Sequence, residues 1–568
     1  MIEAVKNLGE FILRKENKSE IDILLENPNS GNYNKVVVLE FDKDFNFSNI
    51  TIEDFKKNNW RIYLYRRKSS NGSDFTPTSR ITEPKKTLEN KIIKWFESRK
   101  KITPFDKIYN QLKSNKDKIL KYIEEIKNSI KKDEGLIITV KFDNKYLYEI
   151  ESPNFKGIFL TEYLSDLRKF SAKNYPCSLC GEIKDEVFTT SRMYKFYTLD
   201  KPGYIAGGFK EDKAWRNFPV CKSCYLKVDY GRKYIEENLK FSFYGKSYYL
   251  IPNIILNTEE ILGEYVDILS KTRKNITLKD KNLAKSHVED ENYILDLLKD
   301  YKDGLSFYFL FLEKDNSAEK ILLLIEDVLP SRIHYILDTK AKIDKIYGQN
   351  YTLEKVIKFL EKFNKLFFEV LDKIFRGGKL DFQTLLQIFN RKIRDEFLNG
   401  NNITNTVIDA LMNVRFFEEL GLLKIEEEKM EKTKFDEVYE KTGKSLNTLA
   451  KRGIFLLGAL TQMLLDIQGY ERKSTPFFKN LKGLKINEKD VKGLFPKVVN
   501  KLMEYERFDR GKQELAQEIS KNLLSQEKFG LSIDEINFYF ASGMALHKEV
   551  ENIIYTKWEN DEAESKTV

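Results

Sequence analysis

The chain has 568 residues, 41% hydrophobic and 13% aromatic, which at roughly 150 residues per domain predicts three or four packed units and excludes both a single small module and global disorder. Lys and Arg total 97 against 88 Asp and Glu, a net charge of +9 that leans weakly towards an anionic partner. Three histidines, His287, His334 and His547, are too few for a histidine-rich nuclease or metallohydrolase centre, where several imidazoles and carboxylates converge.

At the N-terminus, MIEAVKNLGEFILRKENK predicts a charged amphipathic helix rather than a signal peptide, because it lacks a continuous apolar core and a small-residue cleavage site. Lys35–Phe41 and Trp60–Tyr65 are β-rich runs. The basic, Gly/Ser/Thr/Pro-rich stretch from Tyr65 to Lys85 predicts a long exposed loop. Lys86–Lys132 predicts two helices divided near Thr103-Pro104, with Thr103 as N-cap and Pro104 as the first helical residue. Leu136–Phe142 and Lys145–Ile150 are strand-like. Past the cysteines, Phe241–Ile255 predicts extended chain, Glu259–Lys271 a helix, Leu305–Leu312 a buried strand, and Ala318–Val328 a helix that stops at Leu329-Pro330. From about residue 350 the pattern is helical, with turns at 376–379, 399–402 and 474–476. The most apolar run, Gly453 to Ile467, is interrupted by Thr461, Gln462 and Asp466. It predicts a buried helix, since a bilayer span needs ~20 uninterrupted apolar residues, and a cytoplasmic protein with no membrane partner is expected.

The expected fold class is α+β and multidomain. An N-terminal α+β domain would cover 1–170, a four-cysteine zinc-binding subdomain 171–232, a middle region 233–425 passing from α+β to helical, and an all-α helical bundle 430–568, with the seam at Ile425–Met430. Met430, behind a Glu-rich stretch that must be encoded by purine-rich codons, is an expected internal start producing the bundle as a separate small subunit.

All four cysteines fall in two CxxC pairs, Cys177-Ser-Leu-Cys180 and Cys221-Lys-Ser-Cys224, with Gly181 to Val220 between them. Four thiolates close a tetrahedral Zn²⁺ site with no position left for water, so the site would be structural. A dithiol redox pair and plain cysteines are the alternatives. Between the pairs, Gly203, Gly207 and Gly208 permit close backbone approach, and Lys210, Lys213 and Arg216 supply positive charge. Arg66, Arg67, Lys68, Asn71 and Arg80 are donor types that contact phosphates and base edges, or else belong to an ordinary solvated loop. Lys444, Lys451, Arg452, Lys479 and Lys482 could meet a nucleic-acid backbone or be solvated helix and turn charges. Lys441–Ser445 imitates the end of a P-loop, but the required glycine falls at Val438 and no strand precedes it, so nucleotide binding is rejected there. No catalytic motif stands out, and no catalytic residue is assigned.

Cys177–Gly181, Asp200–Gly203, Ala214–Cys224, Ile325–Arg332 (IEDVLPSR) and Gly453–Leu460 (GIFLLGAL), in this order along most of the chain, resemble the large subunit of type I-B CRISPR effector (Cascade) complexes. The resemblance implies a non-catalytic subunit that reads the protospacer-adjacent motif in target double-stranded DNA, aids R-loop formation and receives the helicase-nuclease, beside guide CRISPR RNA and the backbone and small subunits. A thin positive charge with local basic loops suits such a subunit, because duplex is sampled through phosphates while guide pairing supplies specificity. The alternative from another class is a zinc-ribbon nuclease or transposase-like enzyme, which would need carboxylates holding Mg²⁺.

Overall fold

The computed structural model describes residues 1–29, 31–68, 72–131, 134–168, 170–189, 193–194, 196, 206–243, 246–255, 260–269, 295–299, 304–315, 318–426 and 430–555. The fold is α+β, and the chain divides into two compact units, Met1–Glu237 with Lys314–Lys320, and Asn238–Glu313 with Ile321–Val568.

In the first unit, α1 (Ile2–Lys15) is followed by β1 (Lys35–Phe41), β2 (Phe47–Asp54), β3 (Ser79–Ile81), the helices α2 (Phe105–Ser114) and α3 (Lys116–Ser129), β4 (Leu136–Phe142), β5 (Lys145–Tyr146) and α4 (Phe155–Tyr163). The sheet order is β2-β1-β4-β3, with β5 paired to β4. β1 and β4 run parallel, in register from Lys35↔Leu136 to Phe41↔Phe142. Their sequences, KVVVLEF and LIITVKF, are apolar almost throughout because a parallel pair is covered on both faces. Val36, Val38 and Ile137 pack with Phe55, Ile62, Tyr63 and Tyr146. From the other face, Phe142 stacks on Phe155 at 5.7 Å between ring centroids, and Phe155 stacks on Trp95 at 5.8 Å.

The cysteine region adds β6 (Ser171–Ala172), β7 (Tyr175–Pro176), β8 (Ile183–Lys184), β9 (Val187–Phe188), β10 (Val220–Cys221) and α5 (Lys222–Asn238). β10-β9-β6 form one small sheet and β7-β8 a hairpin.

Three expectations for this unit are corrected. Trp60–Tyr65 is not a strand: Lys57–Tyr63 is a 3₁₀ helix, and Leu64 has φ +48. The Tyr63 and Leu64 carbonyls accept from the Thr78 and Thr76 hydroxyls, each at 2.7 Å, so side-chain donors satisfy groups that a ladder would otherwise pair. The stretch 66–85 is not an exposed loop, since Asp74, Thr76, Thr78 and Ser79 are buried and β3 pairs with β4. Between 84 and 129 the helical run parts at 98–104, beside Thr103-Pro104 as expected, with a π-helical turn at Thr87–Ile93 inside its first part and a second break at Asn115 between α2 and α3. Thr103 does not cap α2, whose N-cap is Pro104.

The second unit opens with β11 (Lys240–Phe243), β12 (Lys246–Ile254), β13 (Leu305–Asp315) and β14 (Ala318–Val328), hydrogen-bonded in that order and lying in this unit except for Lys314–Lys320. The predicted helix at Ala318–Val328 is therefore a strand: pairing with β13 overrides the helical preference of Ala, Glu, Lys and Leu. Helices follow as α6 (Pro330–Tyr347), α7 (Glu354–Leu360), α8 (Asn364–Arg376), α9 (Phe382–Leu398), α10 (Thr404–Glu419), α11 (Asp436–Lys441), α12 (Leu449–Arg472), α13 (Glu488–Glu504), α14 (Arg510–Leu524) and α15 (Ile533–Ala545). Asn487 with Asp490 and Ser532 with Glu535 form capping boxes that start α13 and α15. α12 is buried nearly all round, as its apolar sequence requires, with α13, α14 and α15 packed on it. α15 also packs on α9 and α10, so the predicted seam at 425–430 lies inside this unit. No helix among the described residues is long and apolar enough to cross a membrane.

Candidate metal centre

Each CxxC pair is presented by a different local device. The first sits in the turn of the β7–β8 hairpin, where Tyr175 pairs with Lys184 and Pro176 with Ile183. Gly181 takes φ +74, a value glycine adopts without β-carbon strain, and its N–H donates to the Cys177 carbonyl at 2.8 Å. In the second pair, Cys221 closes β10 opposite Val187 and Cys224 stands in the first turn of α5. That helix is seated directly on α1. A β-carbon at Gly9 would lie 2.0 Å from the Lys227 carbonyl oxygen, so the backbones touch, and Lys227 pairs with Glu10 at 2.6 Å. The second pair is thus carried on a packed helix crossing.

The four sulfurs all lie within 4.8 Å of one another. A tetrahedral ion with metal–sulfur bonds of ~2.3 Å sets its sulfurs roughly 3.8 Å apart, so the cluster fits one metal ion with small adjustment. Cys177, Cys221 and Cys224 are buried and Cys180 is exposed. The Cys221 N–H also donates to Cys177 Sγ at 3.3 Å. Hydrogen bonding from the Cys224 thiol, outweighing burial, holds Cys221 down to about 5, and the same contact pushes Cys224 up. One thiolate shared among thiols is a negative centre that a cation would stabilise by displacing the remaining protons.

The basic residues expected at a nucleic acid divide into committed and exposed groups. Arg66 turns inward, donating from Nη1 to the Leu24 carbonyl at 2.6 Å and lying 4.8 Å from the Tyr163 ring. Arg80 donates from Nε to the Pro28 carbonyl at 2.7 Å and lies 5.2 Å from the Tyr33 ring and 5.7 Å from the Tyr65 ring. These two guanidinium groups hold the 24–28 segment. Arg67 and Lys68 are exposed, with Lys68 paired to Glu162 at 2.5 Å. Asn71 lies outside the described residues. Beneath them Asp74, buried at 1% exposure, accepts from Ser79 Oγ at 2.7 Å, the Lys68 N–H at 3.1 Å and Lys91 Nζ at 3.2 Å. The sequence reading missed this hub, for which only the polar run around it is a signal.

Lys210, Lys213 and Arg216 flank or lie in the 3₁₀ turn Glu211–Arg216, which also carries Glu211 and Asp212. Two exposed aromatics in the same segment, Phe209 and Phe218, went unremarked in the sequence; their signal is placement directly after Gly207-Gly208 and directly before Pro219. In the second unit Lys444, Lys479 and Lys482 are exposed, Lys482 beside Asp490 at 2.6 Å. Lys451 and Arg452 correct the expectation. Lys451 is buried, donating to Asn447 at 2.9 Å and lying 3.4 Å from Glu535, and Arg452 donates to the Glu431 carbonyl at 3.3 Å and covers the Tyr439 ring. Both brace α12 instead of facing outward.

Family models match the chain in sequence order: residues 1–161 match the N-terminal domain of CRISPR-associated protein TM1802, 174–328 its central domain and 350–558 its C-terminal domain. The chain belongs to this CRISPR-associated large-subunit family. No curated protein matches it significantly. The TM1802 central domain contains both cysteine pairs and β11–β14, and the TM1802 C-terminal domain spans α7 to α15.

Proposed function

We propose that this chain is the non-catalytic large subunit of a type I-B guide-RNA surveillance complex, recognising the adjacent motif in target duplex DNA, aiding strand opening and receiving the helicase-nuclease. The observation that carries the reading is the ordered match of three TM1802 domains along the chain. In this reading the four cysteines hold one structural Zn²⁺. A four-thiolate donor set leaves no site for water and ties the 181–220 segment to α5. Arg67, Lys68, Lys210, Lys213 and Arg216 are the side chains offered to DNA phosphates, and Lys444, Lys479 and Lys482 supply further charge along the helical unit.

The test uses the assembled complex carrying Lys210→Ala, Lys213→Ala and Arg216→Ala together. Binding of duplex target with and without the adjacent motif is measured across a salt series. Removing a side chain that neutralises a phosphate should weaken binding to all sequences and lower the salt slope by about one. Unchanged target binding would remove these residues from the interface, and Mg²⁺-dependent DNA cleavage by the purified chain would overturn the non-catalytic reading.

A further inference from the structure

The segment that leads into the second cysteine pair holds two bulky aromatics in a backbone conformation such residues avoid. Phe209 has φ +63 and is 60% exposed; Phe218 has φ +64 and is 37% exposed. In the left-handed region a β-carbon crowds the following carbonyl, and phenylalanine there lacks the short polar side chain that makes asparagine or aspartate tolerable. Exposure removes most of the usual compensation, burial of the ring, at Phe209 and part of it at Phe218. The segment uses glycine for the same backbone region one residue earlier, at Gly208 with φ +65. Rings therefore stand at two positions where glycine would relieve the strain.

The surrounding bonds make this a held loop. The Ala206 N–H donates to Asn217 Oδ1 at 2.8 Å and the Lys213 N–H to the Lys210 carbonyl at 3.0 Å. The Ser178 N–H donates to the Pro219 carbonyl at 2.8 Å, tying the end of the loop to the first cysteine turn. Trp215 packs edge-on against Tyr175 with ring centroids 4.7 Å apart, and the Arg216 guanidinium lies 5.4 Å from the Trp215 ring. Charge alone makes a weak site here, because Glu211 and Asp212 stand among Lys210, Lys213 and Arg216. Aromatic faces add what the charges do not: stacking on bases, open to any sequence.

We infer that Phe209 and Phe218 each offer an exposed ring for stacking on unpaired bases of a DNA strand, with Lys210, Lys213 and Arg216 following its phosphates. Bases within a duplex are already stacked, so an exposed ring gains this contact only where the strand is open. The inference rests on the proposed role in opening target DNA and assigns the rings to its unpaired strand.

The experiment uses the full chain and measures binding by fluorescence anisotropy to an oligothymidylate, an abasic deoxyribose-phosphate oligomer of equal length, an oligouridylate and a duplex. Wild type should prefer the oligothymidylate to the abasic oligomer. Phe209→Ala with Phe218→Ala should erase that preference, lowering oligothymidylate affinity at least tenfold while leaving abasic binding, duplex binding and the salt slope in place. Tyrosine at both positions should restore it. Phe209→Gly separates folding from binding: it should hold or raise the melting temperature while weakening the oligothymidylate complex. The triple basic variant should weaken all four ligands together, and its failure to do so counts against the phosphate-contact reading without touching the ring comparison. Equal loss on the abasic oligomer after ring removal, an unchanged oligothymidylate preference, or tighter binding of oligouridylate than of oligothymidylate would overturn the inference.

Discussion

A close helix crossing decides the sign of one substitution. A β-carbon at Gly458 in α12 would lie 2.0 Å from the Phe540 carbonyl oxygen of α15, and one at Gly543 would lie 1.8 Å from the Phe455 carbonyl oxygen. Carbon–oxygen contacts settle at about 3.3 Å, so Gly458→Ala must push the helices roughly 1.3 Å apart at the crossing. The obstructing atom is backbone and cannot rotate away. Forcing extra carbon into a packed core costs ~1–3 kcal/mol, and a gap of about 1 Å along α12 forfeits up to half of each dispersion contact it opens. Against this, alanine in a helix interior is favoured over glycine by about 1 kcal/mol. The net expectation is a loss of about 1–2 kcal/mol, towards the upper end because α15 also carries contacts to α9 and α10. Gly493 in α13 supplies the control, since nothing lies within 4 Å of its virtual β-carbon. Gly493→Ala should stabilise by about 1 kcal/mol. Urea denaturation of both variants reads the two signs, and a Gly458→Ala midpoint above that of wild type would refute the contact argument.

Cys221→Ser should remove the metal and loosen the 181–220 segment, read as loss of the zinc signal in elemental analysis together with faster proteolysis there; retention of a full metal equivalent would count against the four-thiolate site. Asp74→Ala takes a buried carboxylate away from Ser79, Lys68 and Lys91 and should cost about 3–5 kcal/mol, measured by chemical denaturation, with wild-type stability showing that the hub holds nothing. The third concerns His547, whose Nε2 meets Asp466 Oδ2 at 2.9 Å while Nδ1 meets the Met544 carbonyl at 2.8 Å. Burial opposes its charge, but Asp466 and the Met544 carbonyl outweigh burial and raise its pKa above 6.5. Its contribution is therefore fully present below about pH 6.5 and lost as pH rises through the raised value. Burial likewise opposes ionisation of Asp466, yet His547 and Gln462 hold its carboxyl below 3.8, so that part fades only as pH falls through the lowered value. His547→Gln should cost about 1 kcal/mol near pH 6, an amount reduced by the exposure of Asp466, and approach zero in alkaline solution; a pH-independent difference in melting temperature would contradict this.

What could be read from the chain depended on how far each feature's partners lie along it. β1 and β4 were legible because a strand buried on both faces is apolar throughout, and α12 because a helix buried all round is too. The four cysteines were legible because donor identity and spacing nearly define a metal site. Ala318–Val328 was not, since its residues suit a helix and only β13 makes them a strand. The same distinction governs the basic residues. Arg66 and Arg67 are adjacent and chemically alike, yet Arg66 finds the Leu24 carbonyl and the Tyr163 ring while the Arg67 side chain is exposed. Lys451 and Lys444 divide in the same way, one buried against Glu535 and Tyr539, the other exposed. A count of Lys and Arg therefore cannot locate an interface in this chain. The strained phenylalanines invert the problem: Phe209 and Phe218 look like ordinary core residues until the backbone shows that local preference does not account for them and burial does so only in part at Phe218. That conjunction of strain and exposure is what motivates the proposed base-stacking role, and the abasic comparison decides it.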